Sequence, residues 1–198
     1  MLRVACDLDG TLADLSSAYR KVEEQVHGDS DGLVWDAIRN IENFWVGLDP
    51  IEPGIVRRLF EVSKQTKWEL LFVTQRPGTA GDSVQRQTQQ WLVNQGFETP
   101  SVLTVPGSRG KAAQALDLDF LIDDLPRNCI DVASDSRCRP LLVARNPDQE
   151  TEHAAARFKI SVVHSVSDAL DIIEANTPQL RETGRSQSWL RRLGLGLG

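Results

Sequence analysis

The sequence has few of the features that mark membrane, exported, disulfide-bonded or zinc-binding proteins. No apolar run is longer than a few residues, so a membrane-spanning helix is not expected. Two aspartates lie where a signal peptide needs apolar residues, which argues against export by that route. Three cysteines without a CxxC spacing predict reduced thiols in a cytoplasmic protein, and three isolated histidines offer no zinc-type pair.

Positive charge is also in short supply. The 198 residues contain 22 Lys and Arg against 28 Asp and Glu, which gives a formal net charge of −6. Nonspecific nucleic-acid binding depends on a surplus of positive charge, so nucleic acid is an unlikely partner by this criterion. A small anionic substrate remains compatible with the composition, because a bound cation reverses the local field.

Short β-rich runs alternate with helical patterns along most of the chain. This alternation predicts an α/β fold: a parallel, Rossmann-like sheet between two layers of helices. The strands lack alternating polarity, as expected when both faces of the sheet are buried. The predicted strands are residues 2–8, 68–74, 101–105, 120–123, 140–144 and 160–163, and the predicted core helices are 54–66, 82–95, 110–116, 127–134 and 166–175.

Residues 16–49 interrupt this alternation, because they contain two helical patterns and no convincing strand. We interpret them as a small helical cap inserted after the first strand, between the two parts of an α/β core, residues 1–15 and 50–176. Such a cap would lie above the carboxyl ends of the strands, where open α/β sheets bind ligands. Residues 177–198 carry four arginines and one glutamate and are predicted to form a flexible basic tail.

The first candidate site residues follow the first strand, in the sequence DLDGT. Asp7 and Asp9 are two residues apart, so on an extended backbone they project to the same side. Two carboxylates this close repel each other unless a cation or a shared proton compensates. Gly10 permits a sharp exit from the strand. A solvated DxDG turn is the alternative interpretation, and the preceding buried strand makes it the weaker one.

Two further candidates are a hydroxyl and an ammonium group. Thr74 ends a predicted strand, where its hydroxyl can bond a phosphate oxygen, although a turn-initiating threonine is the simpler interpretation. Lys111 follows the glycine-containing sequence PGSRG and begins a predicted helix. A P-loop is excluded, because Val105 and Ala112 occupy positions that need glycine and Ser or Thr. A solvated surface lysine is the alternative for Lys111.

An adjacent acid pair, Asp123 and Asp124, ends the apolar strand FLI. Neighbouring acids at a buried strand end are unfavourable without a cation. Together with Asp7 and Asp9 they form an all-oxygen ligand set of the kind that suits Mg²⁺.

In this order and placement, the motifs DLDGT, Thr74, Lys111 and IDD resemble those of the haloacid dehalogenase (HAD) superfamily, whose members are mostly phosphatases and phosphotransferases. The likeness spans roughly residues 2–175. It implies a magnesium-dependent phosphatase with Asp7 as nucleophile and Asp9 as general acid and base. The implied phosphate ligands are Thr74 and Lys111. The implied metal ligands are the Asp7 side chain, the Asp9 carbonyl, Asp123 and Asp124, and which of the last two is the inner ligand stays open.

The sequence is also similar to the 5′(3′)-deoxyribonucleotidase branch, in which cap aromatics stack on a pyrimidine. By position, Phe44, Trp45 and Val46 match the base-contacting segment of that branch. Packing between cap and core is an equally weighted alternative for these three residues. The chain departs from the branch at Leu15, where the branch has an aromatic, and at Gln75.

Other functions stay open. The chain is predicted to act on a small phosphate monoester, which includes a (deoxy)nucleoside monophosphate or a sugar phosphate. The alternatives are a noncatalytic relative that binds a partner, a phosphatase for larger phosphorylated targets, and a phosphate-accepting signalling domain. The order of the acids disfavours the signalling domain, since its phosphorylated aspartate would follow a later strand. Oligomeric state is not predicted.

Overall fold

The computed structural model describes residues 1–26 and 31–177. Six strands form one sheet, and their order is β3-β2-β1-β4-β5-β6 with every neighbouring pair parallel. The strands are β1 (Arg3–Asp7), β2 (Glu69–Thr74), β3 (Ser101–Thr104), β4 (Phe120–Asp123), β5 (Arg139–Val143) and β6 (Ser161–Val163).

Helices connect the strands and cover both faces of the sheet. They are α1 (Leu15–Glu23), α2 (Asp31–Arg39), α3 (Ile55–Thr66), α4 (Val84–Asn94), α5 (Arg109–Ala115), α6 (Pro126–Asp135), α7 (Gln149–Arg157) and α8 (166–177), with a short 3₁₀ helix at Phe44–Gly47. The predicted three-layer α/β architecture is confirmed. The predicted core helices correspond to α3, α4, α5, α6 and α8, whereas α7 was not predicted.

Alternate residues of the central strands belong to two separate cores. Cys6 and Ile122 pack into the larger core with α3, α4 and α8, while Ala5 and Leu121 pack on the opposite face with α5 and α6. Each of these four residues is buried. This two-sided burial explains why the strand sequences are almost continuously apolar.

The order of the strands reverses at β1. The chain runs outward from β1 to β2 and β3, and it then returns to place β4 on the other side of β1. Ligands of open α/β sheets bind at the carboxyl ends of the strands where the order reverses. The carboxyl ends of β1 and β4, which carry Asp7 and Asp123, lie at this point.

The predicted cap segment leaves and rejoins the core at one place. The Asp14 N–H donates to the Asp49 carbonyl, and the Ile51 N–H donates to the Leu12 carbonyl, which brings the two ends of the insert together. Within the insert, α1 and α2 contact each other through an edge-to-face pair of Tyr19 and Trp35, with ring centroids 5.5 Å apart. The division into core and cap stays a prediction. Of the predicted tail, residues 178–198 lie outside the described part of the chain.

No helix in the described residues is long and apolar enough to cross a membrane. The three cysteines are free and buried.

Candidate active site

Three carboxylates meet at the carboxyl ends of β1 and β4. Asp7 ends β1, Asp123 ends β4 and Asp124 follows directly. Each offers one oxygen, and these oxygens lie within 4.8 Å of one another. The parallel register, which pairs Cys6 with Ile122, places the two strand ends at the same height. The structure therefore brings together three of the four acids that the sequence singles out as ligands.

Local hydrogen bonds hold the two acids at the carboxyl end of β4 in place. The Asp123 carboxylate accepts hydrogen bonds from the Leu125 N–H (2.9 Å) and from the side-chain amide of Asn128 (3.0 and 3.1 Å). Asp124 accepts a hydrogen bond from the Thr11 hydroxyl at 2.9 Å. The threonine of DLDGT thus orients an acid from the other strand, so the two motifs form one unit.

Burial makes this acid cluster unfavourable as a set of free anions. Burial raises the pKa of Asp7 well above its usual value, and the neighbouring Asp123 raises it further. Burial raises the pKa of Asp123 to about 6, although the Leu125 and Asn128 donors oppose the shift. The pKa of Asp124 is raised as well, again mainly by burial. A cation at this position would favour the ionised form of each acid.

The cluster contains an arginine that was not predicted. Arg109, the first residue of α5, donates from Nη2 to Asp7 Oδ1 over 2.9 Å, and its Nε lies 3.9 Å from Asp123 Oδ2. Among the described residues, the buried Nε has no hydrogen-bond partner. Arg109 thus places a buried positive charge beside both Asp7 and Asp123.

Lys111 lies two residues further along α5, and its side chain is exposed. In the described residues, no carboxylate forms an ion pair with it, whereas Arg109 pairs with Asp7. The structure thus brings Arg109, and not the Lys111 ammonium, to the acid cluster. The phosphate-binding role of Lys111 stays a prediction.

The side chain of Asp9 faces a different partner. Both of its carboxylate oxygens accept hydrogen bonds from the guanidinium of Arg76, with a shortest distance of 2.7 Å. Asp9 does not belong to the group of carboxylate oxygens formed by Asp7, Asp123 and Asp124. This separation is compatible with the expectation that Asp9 offers a metal its backbone carbonyl and keeps its side chain for proton transfer.

Thr74 ends β2, the strand that pairs with β1 on the side away from β4. The threonine is 1% exposed, and its carbonyl accepts a hydrogen bond from the Val105 N–H. In the sheet, Asp7 pairs with the preceding residue, Val73. Thr74, on the adjacent strand, therefore lies one position beyond the residue that pairs with the nucleophile candidate Asp7. The binding of a phosphate oxygen by its hydroxyl stays a prediction.

The cap residues Phe44, Trp45 and Val46 occupy the 3₁₀ helix. Trp45 is 0% exposed, its ring nitrogen donates to the Pro77 carbonyl, and its ring lies 4.7 Å from the Arg76 guanidinium carbon. Phe44 is nearly buried and meets Trp45 edge to face, whereas Val46 is partly exposed. Trp45 thus packs cap against core, the alternative to base stacking that the sequence left open.

A second unpredicted arginine supports the loop that carries the first motif. Arg145 follows β5 and donates to the carbonyls of Gly10 (2.9 Å) and Thr11 (3.1 Å). It also pairs with Glu52, whose carboxylate accepts from the N–H groups at the start of α8. The loop after β1 is therefore fixed by contacts from β5 and α8.

No protein-family model matches the chain, and no curated protein does so. The fold is similar to solved structures at low sequence identity. A dehalogenase determined with an intermediate complex has a TM-score of 0.59 and 12% identity, covering 87% of this chain and 96% of that one. The L-2-haloacid dehalogenase from Xanthobacter autotrophicus, with chloropropionic acid covalently bound, has a TM-score of 0.52 and 14% identity, covering 88% and 99%.

A third similar structure is described as a β-phosphoglucomutase from Thermotoga maritima. Its TM-score is 0.51 at 16% identity, covering 88% of this chain and 99% of that one. These similarities confirm the predicted HAD-like fold. They do not extend to the deoxyribonucleotidase branch.

Proposed function

We propose that this chain is a magnesium-dependent phosphatase that hydrolyses a small phosphate monoester through a phosphorylated Asp7. The observation that carries the proposal is the convergence of Asp7, Asp123 and Asp124 beside a buried arginine. Covalent catalysis of this kind divides one difficult displacement into two easier ones.

The acid cluster fits a divalent cation. Its ligands are all oxygen, which suits Mg²⁺, and burial raises the pKa of all three carboxyl groups. The Asp7, Asp123 and Asp124 side chains and the Asp9 carbonyl would hold the ion. When bound, it supplies positive charge that lets an anionic carboxylate and an anionic phosphate approach each other.

The protein's own groups supply the remaining chemistry. A carboxylate oxygen of Asp7 attacks phosphorus, and the bond from phosphorus to the leaving oxygen breaks. Arg109, whose guanidinium lies beside Asp7, is a candidate to bind one phosphoryl oxygen, and Thr74 and the predicted ligand Lys111 are candidates for the others. Asp9 gives a proton to the leaving oxygen and later takes one from the water that releases phosphate.

The similar L-2-haloacid dehalogenase has chloropropionic acid covalently bound. That similarity supports a covalent intermediate for this chain as well, and we propose Asp7 as the residue that carries it. It also makes a dehalogenase the main catalytic alternative. The clustering of three acids favours the phosphatase, because a cation among them suits a substrate with more than one negative charge.

The substrate class that we propose is a small phosphate monoester, with a deoxynucleoside monophosphate as one candidate and a sugar phosphate as another. The resemblance to the deoxyribonucleotidases supports the nucleotide. Because Trp45 is buried, the nucleotide proposal relies mainly on Phe44 and Val46 for contacts to a base.

The test is hydrolysis of p-nitrophenyl phosphate and of 2-chloropropionate by wild type and Asp7→Asn, with Mg²⁺ and with a chelator. We expect Mg²⁺-dependent release of p-nitrophenol by wild type and its loss in Asp7→Asn. The control is Asp119→Asn, a half-buried aspartate beside the amino end of β4. Activity in folded Asp7→Asn would rule out the covalent mechanism, and chloride release alone would favour a dehalogenase. A wild-type protein inactive on both would favour a binding protein.

A further inference from the structure

The two oxygens of Asp9 are held by a single guanidinium. Arg76 Nε lies 2.9 Å from Oδ2 and 3.1 Å from Oδ1 of Asp9, and Nη2 lies 2.7 Å from Oδ1. Contacts to both carboxylate oxygens fix the rotation of the carboxylate plane as well as its position. Asp9 is thereby oriented in a way that a single hydrogen bond could not achieve.

Arg76 is itself held rigidly on its other sides. Its side chain is 0% exposed, its Nη1 donates to the Thr88 hydroxyl of α4 at 2.9 Å, and its guanidinium lies against the Trp45 ring. Planar stacking on an aromatic face is a contact that arginine makes and lysine does not. The position of the Arg76 guanidinium is therefore determined by two contacts, one with Thr88 of the core and one with Trp45 of the cap segment.

We infer that Arg76 is a positioning residue, which acts through Asp9 and sets the alignment of that carboxylate for proton transfer. The inference rests on the proposed function, in which Asp9 is the acid and base. Arg76 does not belong to the acid cluster around Asp7, and Asp9 is 18% exposed while Arg76 has no exposed side-chain surface. The Asp9 carboxylate is therefore partly accessible to solvent, whereas the Arg76 side chain that holds it is not.

The second step of the reaction depends most on this alignment. Water attacks phosphorus, the Asp9 carboxylate takes the proton of that water, and the bond between phosphorus and Asp7 breaks. Inorganic phosphate leaves, and the protonated Asp9 is then the acid for the next substrate. With p-nitrophenyl phosphate the first step needs no acid, because p-nitrophenolate leaves without a proton. The proton that Asp9 holds from the previous turnover then passes to solvent, to which its side chain is 18% exposed, and Asp9 enters the second step as a carboxylate. A misaligned Asp9 therefore slows only the second step with this substrate.

The experiment is rapid-mixing kinetics of p-nitrophenol release by wild type, Arg76→Gln and Thr88→Val in the presence of Mg²⁺. Thr88→Val removes one hydrogen bond to Arg76 with little change of shape, so it tests the inference even if Arg76→Gln folds poorly. We expect both variants to show a burst of about one p-nitrophenol per enzyme. Steady-state turnover should fall roughly 10- to 100-fold in Arg76→Gln and less in Thr88→Val. Arg3→Lys, which alters the Arg3–Glu69 pair at the amino end of β1, is the matched control.

A double-mutant comparison separates positioning from a structural role. If Arg76 acts through Asp9, then Arg76→Gln with Asp9→Asn is no slower than Asp9→Asn alone. The inference would be overturned if the losses of the two single variants added up in the double variant, or if turnover fell without a burst. Either result would leave the proposed phosphatase function standing. Wild-type protein without phosphatase activity would overturn the proposed function and this inference together.

Discussion

Arg109 and Asp7 form a buried ion pair, with Nη2 of the arginine 2.9 Å from Oδ1 of the aspartate. The two side chains are 5% and 8% exposed, so water screens their interaction little. One charge cannot compensate three carboxylates, because Asp123 and Asp124 belong to the same cluster. The pair therefore leaves the site with excess negative charge, which is the reason to expect a cation there.

This pair predicts which positive side chain serves the phosphate. Replacing Arg109 by Gln removes a buried donor and should lower kcat/KM for p-nitrophenyl phosphate by roughly 100-fold, the usual cost of one transition-state donor. Replacing Lys111 by Gln should cost much less, because its side chain is exposed. Steady-state kinetics on both folded variants decides between them. A larger loss in Lys111→Gln than in Arg109→Gln would identify Lys111, the residue that the sequence motif indicates, as the main phosphate ligand.

The difference between Arg109 and Lys111 shows where sequence reasoning ends. The acids could be placed from the sequence because each ends a buried strand, and parallel strands meet at one edge. A helical side chain needs the phase of its helix as well. Two residues apart on a helix means about 200° apart, so α5 cannot direct both cations at Asp7. The helix was predicted to begin at residue 110, whereas α5 begins at Arg109.

Two other features were missed for different reasons. Arg76 lies two residues after Thr74, and nothing in its sequence neighbourhood shows that Asp9 would accept from it; only the folded sheet does. The helix α7 was missed because its apolar residues are three consecutive alanines, of which only Ala155 is buried, so no large apolar side chains mark its inner face. Its sequence signals were the N-cap residue Asp148, two glutamates in the first turn and an arginine in the last turn.

The glycine of DLDGT gives a second prediction. Gly10 has φ of +84°, and a Cβ there would lie 2.2 Å from Asp124 Oδ2, so Gly10→Ala must displace the carboxylate. Gly54 has φ of +81° but open space around its Cβ, which makes Gly54→Ala the matched control. Both variants should lose about 1–2 kcal/mol of unfolding free energy from backbone strain. Only Gly10→Ala should also require more Mg²⁺ for half-maximal activity. Urea unfolding would show that both variants are folded. Equal Mg²⁺ requirements of the two folded variants would contradict a displacement of Asp124 by the added Cβ.

A third prediction concerns the support of α5. Asp131 accepts hydrogen bonds from the Gly110 N–H and the Ser108 hydroxyl, and these donors lower its pKa. A lowered pKa in the folded protein stabilises the fold above the unfolded value near 4, and this stabilisation is lost as the pH falls through the folded pKa.

Asp131→Asn should therefore be less stable than wild type at pH 7, by at most about 1 kcal/mol because the group is partly solvated. Urea unfolding at pH 7 and at pH 3 measures the difference, which should shrink at the lower pH. Asp148, the N-cap of α7, also has a lowered pKa, so Asp148→Asn should show the same pH trend without lowering phosphatase activity. A stability difference that persists unchanged at pH 3 would assign the effect to packing.

The last prediction concerns the cap residues and substrate preference. Trp45 has no exposed surface, whereas Phe44 is 8% exposed and Val46 is partly exposed. Stacking of a base on an aromatic ring contributes about 1–3 kcal/mol, and a ring with no exposed surface offers no face for it. Of the two rings, Phe44 alone keeps a small exposed surface, so we expect any preference for a nucleotide to depend on Phe44 and not on the Trp45 ring.

We expect Phe44→Ala to lower the ratio of kcat/KM for dUMP to that for a simple sugar phosphate. Trp45→Phe should leave this ratio unchanged, even if it slows both substrates by loosening Arg76. The ratio is informative because any general damage to the site affects both substrates equally and cancels. A selective loss of dUMP hydrolysis in Trp45→Phe would mean that the cap opens far enough to expose that ring. An unchanged ratio in Phe44→Ala would leave the phosphate group as the feature that the site recognises.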